Sequence, residues 1–142
     1  MTDHWSNHYI GIPYESLGRS FTGADCWGLL YMVFRNELQI DVPRFDGYDD
    51  TDDLPSIHEI MHGAIGSEIA MSVIPGQHRE FDVLVFRRGR MDSHVGIVID
   101  NSRMLHMAEK SQSRIEDYTN GYWSKRLTGI VRHKDMIFAA CA

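Results

Sequence analysis

Residues 25–38 read DCWGLLYMVFRNEL, and the interpretation of the fold starts from this stretch. Apolar side chains recur there at helical spacing, which makes one side of a helix continuously apolar; they are Trp27, Leu29, Leu30, Val33 and Phe34. Asp25 is a residue type that caps helix N-termini, and Pro43 marks a boundary that helices seldom cross. The pattern predicts a buried helix that begins next to Asp25, carries Cys26 in its first turn and ends before Pro43.

The segments on either side predict loops and a second, weaker helix. Residues 9–25 contain glycines, a proline and small polar residues that interrupt any periodicity. Residues 44–55 are polar, and six aspartates lie between positions 41 and 53. This acidic stretch lacks the Gly and Glu positions of an EF-hand calcium loop, so it is interpreted as a solvated loop. Residues 56–71 place apolar side chains on one helical face, which predicts the second helix; they are Ile57, Ile60, Met61, Ala64 and Ile65.

After Pro75-Gly76 the apolar pattern changes from a helical period to alternation. Short β-branched or apolar runs separated by turn residues predict strands at residues 81–86, 94–99, 103–107 and 127–132. Residues 111–125 are irregular and polar, with Tyr118, Tyr122 and Trp123 as expected anchors. Helices followed by strands predict one α+β domain over residues 1–142, in which N-terminal helices pack on an antiparallel sheet.

The composition restricts the class of protein. The chain has 142 residues, of which 43% are hydrophobic and 24% charged, as is typical of one globular domain. Its apolar runs are much shorter than the ~20 residues that span a bilayer, so no membrane span is expected. The N-terminal residues lack the pattern of a secretory signal, which favours a cytoplasmic protein or one exported by another route. A net charge of −6 disfavours non-specific nucleic-acid binding, and two cysteines, Cys26 and Cys141, do not make a disulfide scaffold.

One candidate catalytic group combines Cys26 with His94 and His106. A thiol attacks as the thiolate, and the unpaired amides and dipole of a helix N-terminus lower the pKa of a cysteine placed there. A neighbouring imidazole takes the proton and later returns it to the leaving amine, and a third polar group orients that imidazole. Each of these residues alone is more commonly structural, so the hypothesis depends on whether the three meet.

The turn between the two histidine strands decides whether both imidazoles share a face. Side chains alternate along a strand, so a shift of one residue moves a histidine to the opposite face. A two-residue loop at Asn101-Ser102 pairs Ile97 with His106 and separates the histidines. A three-residue loop that begins at Asp100 pairs Gly96 with His106, leaves room for a ring and places the histidines diagonally on one face. The catalytic hypothesis therefore requires a loop with an odd number of residues, such as the three-residue loop, or a compensating bulge.

A second candidate constellation is His58-Glu59-Ile60-Met61-His62, which matches the H-E-x-x-H pattern. In that pattern two imidazoles one helical turn apart bind zinc, and the glutamate activates water. A catalytic site needs a third protein ligand, for which Glu68 and Glu80 are candidates, although neither follows a recognisable pattern. The alternative is a solvated helix face, and the main prediction includes no metal or cofactor.

Four segments, in this order, together resemble a known family: Pro13-Tyr14, residues 23–30 (GADCWGLL), residues 93–98 (SHVGIV) and Leu105-His106. They resemble the NlpC-type cell-wall peptidases, papain-like cysteine endopeptidases with a Cys-His-His arrangement that cleave the peptide stems of peptidoglycan. The resemblance covers most of the chain and implies the papain-like NlpC-type α+β fold. It implies that Cys26 is the nucleophile, that His94 is the general base and acid, and that His106 orients His94.

The resemblance also implies residues that meet the substrate. The backbone N–H of Cys26 would help to hold the oxyanion, and Tyr14 would supply its hydroxyl to the same site. Asp25 would meet a free amine of the stem peptide. Trp27 stands where many family members have serine, so it either reshapes the substrate groove or packs under the sheet. The implied scissile bond joins D-Glu to a diamino acid.

The form DCWG, residues 40–43 (IDVP) and residues 123–133 (WSKRLTGIVRH) resemble the tail-associated peptidases of phages and phage-like particles. This subgroup implies a virion tail protein that is assembled in the host cytoplasm and acts in the periplasm of the target cell, where it helps DNA to pass the wall. Its implied partners are peptidoglycan stem peptides and other tail-tip or baseplate proteins, without nucleic acid. The alternative is a structural tail-tip protein in which catalysis is lost or dispensable.

Overall fold

The computed structural model describes residues 4–43, 53–65, 70–108 and 110–139. Within these ranges a short 3-10 helix (Trp5–Tyr9) precedes eight strands and four helices. In chain order they are β1 (Arg19–Ser20), β2 (Gly23–Ala24), α1 (Cys26–Val33), α2 (Leu54–Ile65), β3 (Ala70–Ser72), β4 (Val83–Arg88), β5 (Met91–Val98), β6 (Arg103–Met107), β7 (Ser113–Asp117), α3 (Gly121–Ser124), β8 (Leu127–His133) and α4 (Lys134–Ala139). None of these helices is long and apolar enough to cross a bilayer.

Six strands form one sheet in the order β3-β8-β4-β5-β6-β7, in which every neighbouring pair is antiparallel. Strands β1 and β2 form a separate hairpin just before α1. The predicted α+β class with helices on an antiparallel sheet is confirmed. The central strands β4 and β5 are in register from Val83–Ile97 to Phe86–His94, with a bulge directly after that pair.

Helix α1 follows its prediction closely. Asp25 is the N-cap, and its side chain accepts a hydrogen bond from the Gly28 amide. A π-helical turn (Phe34–Leu38) continues the helix, and the left-handed backbone of Gln39 (φ +55°) ends it before Pro43. The apolar face of the helix is buried in a core shared with one face of the sheet, whose members include Leu29, Leu30, Val33, Val83, Val85, Val95, Ile97 and Leu105.

The opposite face of the sheet is buried as well. Its core consists of Leu84, Phe86, Val98, Met104, Tyr118 and Ile130, and Trp123 packs against it from the segment after β7. Because both faces are covered, residues 83–86 are all buried instead of alternating between core and solvent. This second core is the face on which the candidate histidines lie.

Some predicted boundaries were wrong. Helix α2 occupies Leu54–Ile65 instead of residues 56–71; residues 66–69 lie outside the described ranges, and Ala70–Ser72 is an edge strand. Residues 111–125, predicted to be irregular, contain β7 and α3, and the predicted loop at 9–25 contains the β1–β2 hairpin. These are short elements with few buried apolar side chains, so they form by pairing with a neighbour that the local pattern does not reveal.

Candidate active site

Cys26 begins α1, and a buried carboxylate organises the backbone in front of it. Asp25 Oδ1 accepts hydrogen bonds from the Gly28 amide and from Arg19 Nη1, both at 2.8 Å, and Oδ2 accepts one from the Leu17 amide at 3.0 Å. Gly28 completes the arrangement, because a Cβ there would collide with the carbonyl oxygen of Gly18. The D-C-x-G segment therefore packs the hairpin tightly against the first turn of the helix.

The thiol of Cys26 meets the sheet where β5 and β6 separate. Their pairing ends at Gly96–His106, although both strands continue beyond that pair. At this opening the backbone amide of Val95 forms a hydrogen bond with the Cys26 sulfur. Val95 directly follows His94, so the thiol lies beside the backbone that carries the candidate base.

The register of β5 and β6 is the one that the catalytic hypothesis requires. Gly96 pairs with His106, and the amide of Ile99 bonds to the carbonyl of Arg103 across a three-residue loop. His94 Nε2 lies 2.9 Å from His106 Nδ1, and both rings are buried. The room beside Gly96 is occupied by the thioether of Met104, which is the atom nearest to a Cβ built there. The two histidines thus form a hydrogen-bonded pair, and His94 directly precedes Val95, whose amide binds the thiol.

Two further residues lie against this histidine pair, and the sequence placed neither of them in the catalytic site. Glu116 Oε1 lies 3.1 Å from His106 Nε2, an ion-pair distance at an angle outside that of a good hydrogen bond. The ring of Trp123 stacks on His94 with 4.6 Å between centroids and 15° between planes. The indole N–H of Trp123 donates to Glu116 Oε2 at 3.1 Å. The sequence marked Trp123 only as an anchor, and Glu116 gave no signal because its strand was not predicted.

Burial keeps the thiol and the base neutral in this conformation. It raises the pKa of Cys26 to about 11, and the Asp25 carboxylate adds to the rise, while Arg88 and the Val95 amide oppose it. Burial, followed by the proximity of His106 and Arg88, holds the pKa of His94 well below its ordinary value. The expectation that the helix N-terminus lowers the thiol pKa was therefore wrong for this state, because desolvation of the thiolate is the larger effect.

We expect alkylation of Cys26 by iodoacetamide to accelerate about tenfold per pH unit up to about pH 11, because only the thiolate reacts. The rate would be measured in a Cys141→Ser background, so that one thiol reports. The same chain unfolded in urea is the control, and its thiol should titrate near pH ~8.5. A rate plateau between about pH 5 and pH 8, the signature of a preformed thiolate–imidazolium pair, would contradict this expectation.

Arg88 is a cation that the sequence analysis did not single out. Its guanidinium donates to the hydroxyl of Ser93 (2.9 Å) and to the carbonyl of Ser93 (3.0 Å). Ser93 directly precedes His94, and the charge of Arg88 favours the thiolate of Cys26 while it disfavours protonation of His94. Arg88 thus contributes positive charge on the thiol side of the site.

The residues expected to meet substrate lie around the thiol in different environments. Tyr14 is half-buried, and its backbone bridges Ala24 in the strand that leads to Cys26. The carboxylate of Asp25 is fully buried and already bound, which fits a helix cap and an ion-pair partner of Arg19 better than a contact with a substrate amine. The indole N–H of Trp27 donates to the carbonyl of Pro43 (2.7 Å), so this residue braces the chain that leaves the helix.

The H-E-x-x-H segment meets an unexpected third residue. His58, His62 and Asp92 have ligand atoms within 4.8 Å of one another, close enough to hold a metal ion. The same groups also bind each other, since the Asp92 amide donates to His58 Nδ1 (2.9 Å) and His62 Nε2 lies 2.8 Å from Asp92 Oδ2. Of the third ligands suggested by the sequence, Glu80 pairs with His4 instead, and Glu68 lies outside the described residues. The cluster ties α2 to β5.

The fold and the site together define a papain-like α+β protein with a thiol at a helix N-terminus and two histidines on the adjoining strands. The family model of NlpC/P60 matches residues 11–132, so the chain belongs to the NlpC/P60 family. This membership agrees with the resemblance found in the sequence.

Two individual relatives show which proteins the chain resembles in sequence. The chain is 29% identical over 116 residues to the murein DD-endopeptidase MepS/murein LD-carboxypeptidase of Escherichia coli (strain K12), covering 82% of this chain and 53% of that protein. It is 27% identical over 120 residues to the tail tip assembly protein K of Escherichia phage N15, covering 79% of this chain and 46% of that protein. The chain therefore spans about half the length of these relatives.

A solved structure supports the fold independently. An NlpC/P60 family protein from Bacillus cereus superimposes with a TM-score of 0.67 at 19% identity, covering 90% of this chain and 37% of that chain. At that identity the likeness establishes the fold alone.

Proposed function

We propose that this domain is a cysteine endopeptidase that cleaves the peptide stems of peptidoglycan, with Cys26 as nucleophile, His94 as general base and acid, and His106 as the residue that orients His94. The observation that carries the proposal is the 2.9 Å contact of His94 Nε2 with His106 Nδ1, directly beside the backbone that binds the Cys26 thiol. Membership of the family and the name of the Escherichia coli relative support peptidoglycan as the substrate.

The chemistry follows from a neutral thiol and a neutral imidazole. Because the pKa of Cys26 is raised, its proton moves to His94 as the sulfur attacks the peptide carbonyl. The S–C bond forms, and the oxyanion is held by the backbone N–H of Cys26 at the start of α1 and by the hydroxyl of Tyr14. His94 then returns the proton to the departing amine as the C–N bond breaks. Water, deprotonated by His94, hydrolyses the thioester and restores the thiol.

We propose that the scissile bond joins D-Glu to a diamino acid, as the sequence resemblance implies. The printed name of the Escherichia coli relative includes DD-endopeptidase activity, which makes the peptide cross-link the competing target. The two bonds release different amines: cleavage after D-Glu frees the α-amine of the diamino acid, whereas cleavage of the cross-link frees its side-chain amine. The fragments therefore identify the bond.

The setting that we propose is a phage-type tail tip, assembled in the host cytoplasm together with other tail-tip or baseplate proteins and active in the target periplasm. The similarity to the tail tip assembly protein K of phage N15 supports this setting. Mass spectrometry of purified particles is the direct test, and we expect the chain among the tail proteins.

The decisive experiment measures new amino groups released from purified Gram-negative sacculi. We expect release by the wild-type protein and by Cys141→Ser, and none above background by Cys26→Ala, since the nucleophile is absent. Mass spectrometry of the fragments then names the bond. Equal release by Cys26→Ala would overturn the cysteine mechanism, and no release by any variant would favour the structural tail-tip alternative.

A further inference from the structure

We propose that Glu116 is a positioning residue that fixes the protonation pattern of the whole histidine pair, so that His94 presents a free nitrogen to Cys26. This inference rests on the proposed peptidase function and names a residue outside the Cys-His-His set. Its basis is that the two oxygens of one carboxylate contact both groups that touch His94, the ring of His106 and the ring of Trp123.

The tautomer of each histidine follows from the carboxylate. His106 Nε2 is buried and lies 3.1 Å from Glu116 Oε1 without the angle of a hydrogen bond, and a lone pair on Nε2 would face the negative carboxylate at that distance. His106 therefore carries its hydrogen on Nε2 and has a lone pair on Nδ1. That lone pair lies 2.9 Å from His94 Nε2, which must then be the protonated nitrogen of His94. A neutral imidazole has one hydrogen, so Nδ1 of His94 is left as the base.

Both imidazoles are neutral in this conformation, as the argument requires. Burial holds the pKa of His94 well below its ordinary value and also lowers that of His106, although the Glu116 carboxylate opposes the change at His106. If His94 were charged, both of its nitrogens would carry hydrogens and neither could act as the base, whereas a charged His106 would donate from Nδ1 and reverse the direction of the bond. When both rings are neutral, the hydrogen that Glu116 favours on His106 Nε2 determines which nitrogen of His94 carries a hydrogen.

The second oxygen of Glu116 holds the Trp123 ring that stacks on His94. Oε2 accepts the indole N–H of Trp123, and the indole lies flat on His94 at 4.6 Å. The same indole stands edge-on to His106, with centroids 5.2 Å apart and planes at 75°. Trp123 thus limits tilting of the His94 ring out of its plane, and Arg114, whose Nε lies 3.6 Å from Glu116 Oε1, forms an ion pair with the same carboxylate.

The substitution Glu116→Gln makes a distinctive prediction. An amide has one accepting and one donating end, whereas His106 and Trp123 both offer hydrogens to the wild-type carboxylate. If the amide nitrogen faces His106, the tautomers of both histidines reverse and His94 Nδ1 becomes protonated. In the double variant Glu116→Gln/Trp123→Phe the indole donor is gone, so the amide oxygen is free to face His106 and the amide nitrogen to face solvent. Trp123→Phe should therefore partly restore the unprotonated Nδ1 of His94 that Glu116→Gln removes.

We test this with nitrogen-15 NMR of labelled histidine, which distinguishes the two tautomers without any substrate, and with kcat and KM on stem peptides. In the wild type we expect His94 protonated on Nε2. In Glu116→Gln we expect mixed or reversed tautomers and a kcat about 10²-fold lower with little change in KM; the ~10⁴-fold loss at an enclosed triad carboxylate is an upper limit. Trp123→Phe in that background should recover at least a few-fold of the loss. Glu80→Gln, at a carboxylate on the surface pair with His4, is the matched control.

The outcomes separate this inference from the proposed function. Two results would overturn the role of Glu116 whatever the activity of the wild type. One is a Glu116→Gln variant that keeps the wild-type tautomers. The other is a double variant Glu116→Gln/Trp123→Phe in which the losses of the two substitutions simply add. If the wild type cleaves no peptide, the function fails, and the NMR result alone still supports or contradicts the positioning role. Tautomer reversal on Glu116→Gln, relieved by Trp123→Phe, is the result that we expect.

Discussion

His94→Ala should abolish hydrolysis of stem peptides, lowering kcat by at least about 10³-fold while the protein stays folded. The reason is that His94 directly precedes Val95, whose amide binds the thiol, whereas His106 is turned toward His94 and Glu116. With a thiol pKa raised to about 11, the thiolate population at neutral pH is too small to sustain attack without a base. The measurement is kcat on a soluble stem peptide, with circular dichroism to verify folding.

The control for this prediction is His62→Ala, which removes an exposed imidazole from the H-E-x-x-H segment. We expect that variant to keep close to wild-type kcat. The opposite pattern, in which His62→Ala is inactive and His94→Ala retains activity, would support the zinc-hydrolase alternative and overturn the thiol mechanism. Partial rescue of His94→Ala by added imidazole would further show that the missing group is a base.

Asp25→Ala should destabilise the fold by about 3–5 kcal/mol in the free energy of unfolding, which is more than substitutions at exposed positions cost. The Asp25 and Arg19 side chains are only 1% and 4% exposed, so alanine would leave a buried guanidinium without its carboxylate. The substitution also removes the helix cap at Gly28 and the hydrogen bond to the Leu17 amide. Urea unfolding followed by circular dichroism measures the effect.

The matched control is Arg103→Ala, which breaks an ion pair with Asp100 whose side chains are 56% and 41% exposed. We expect a loss of no more than about 1 kcal/mol there, since solvent already screens the pair. If Asp25→Ala lowered the free energy of unfolding as little as Arg103→Ala, the carboxylate would not be what stabilises the segment before Cys26. In that case water entering the hairpin would have to solvate the Arg19 guanidinium in place of the carboxylate.

Local patterns were sufficient for the parts of the fold that carry Cys26, His94 and His106. The helical spacing of residues 26–38 and the capping chemistry of Asp25 predicted α1, and alternation predicted β4, β5, β6 and β8 to within a few residues. For the histidines, the pattern left two loop lengths open, and pairing of Gly96 with His106 selected the three-residue loop. A difference of one residue in a turn is too small an effect for local propensity to decide.

What the sequence by itself predicted correctly is the helix that begins at Cys26 and the strands that carry His94 and His106, because each element depends on neighbours within a few residues. The Cys-His-His assignment came from the family resemblance and stays a prediction. Only the tertiary structure brought Glu116 and Trp123 to the histidines, placed Asp92 between His58 and His62, and buried Asp25 with Arg19. It also reversed the expected pKa change of Cys26, since the helix N-terminus acts locally whereas desolvation depends on everything packed around the thiol. The pKa of the thiol and the surroundings of the histidines depend on residues that are distant in the sequence, so only tertiary packing decides them.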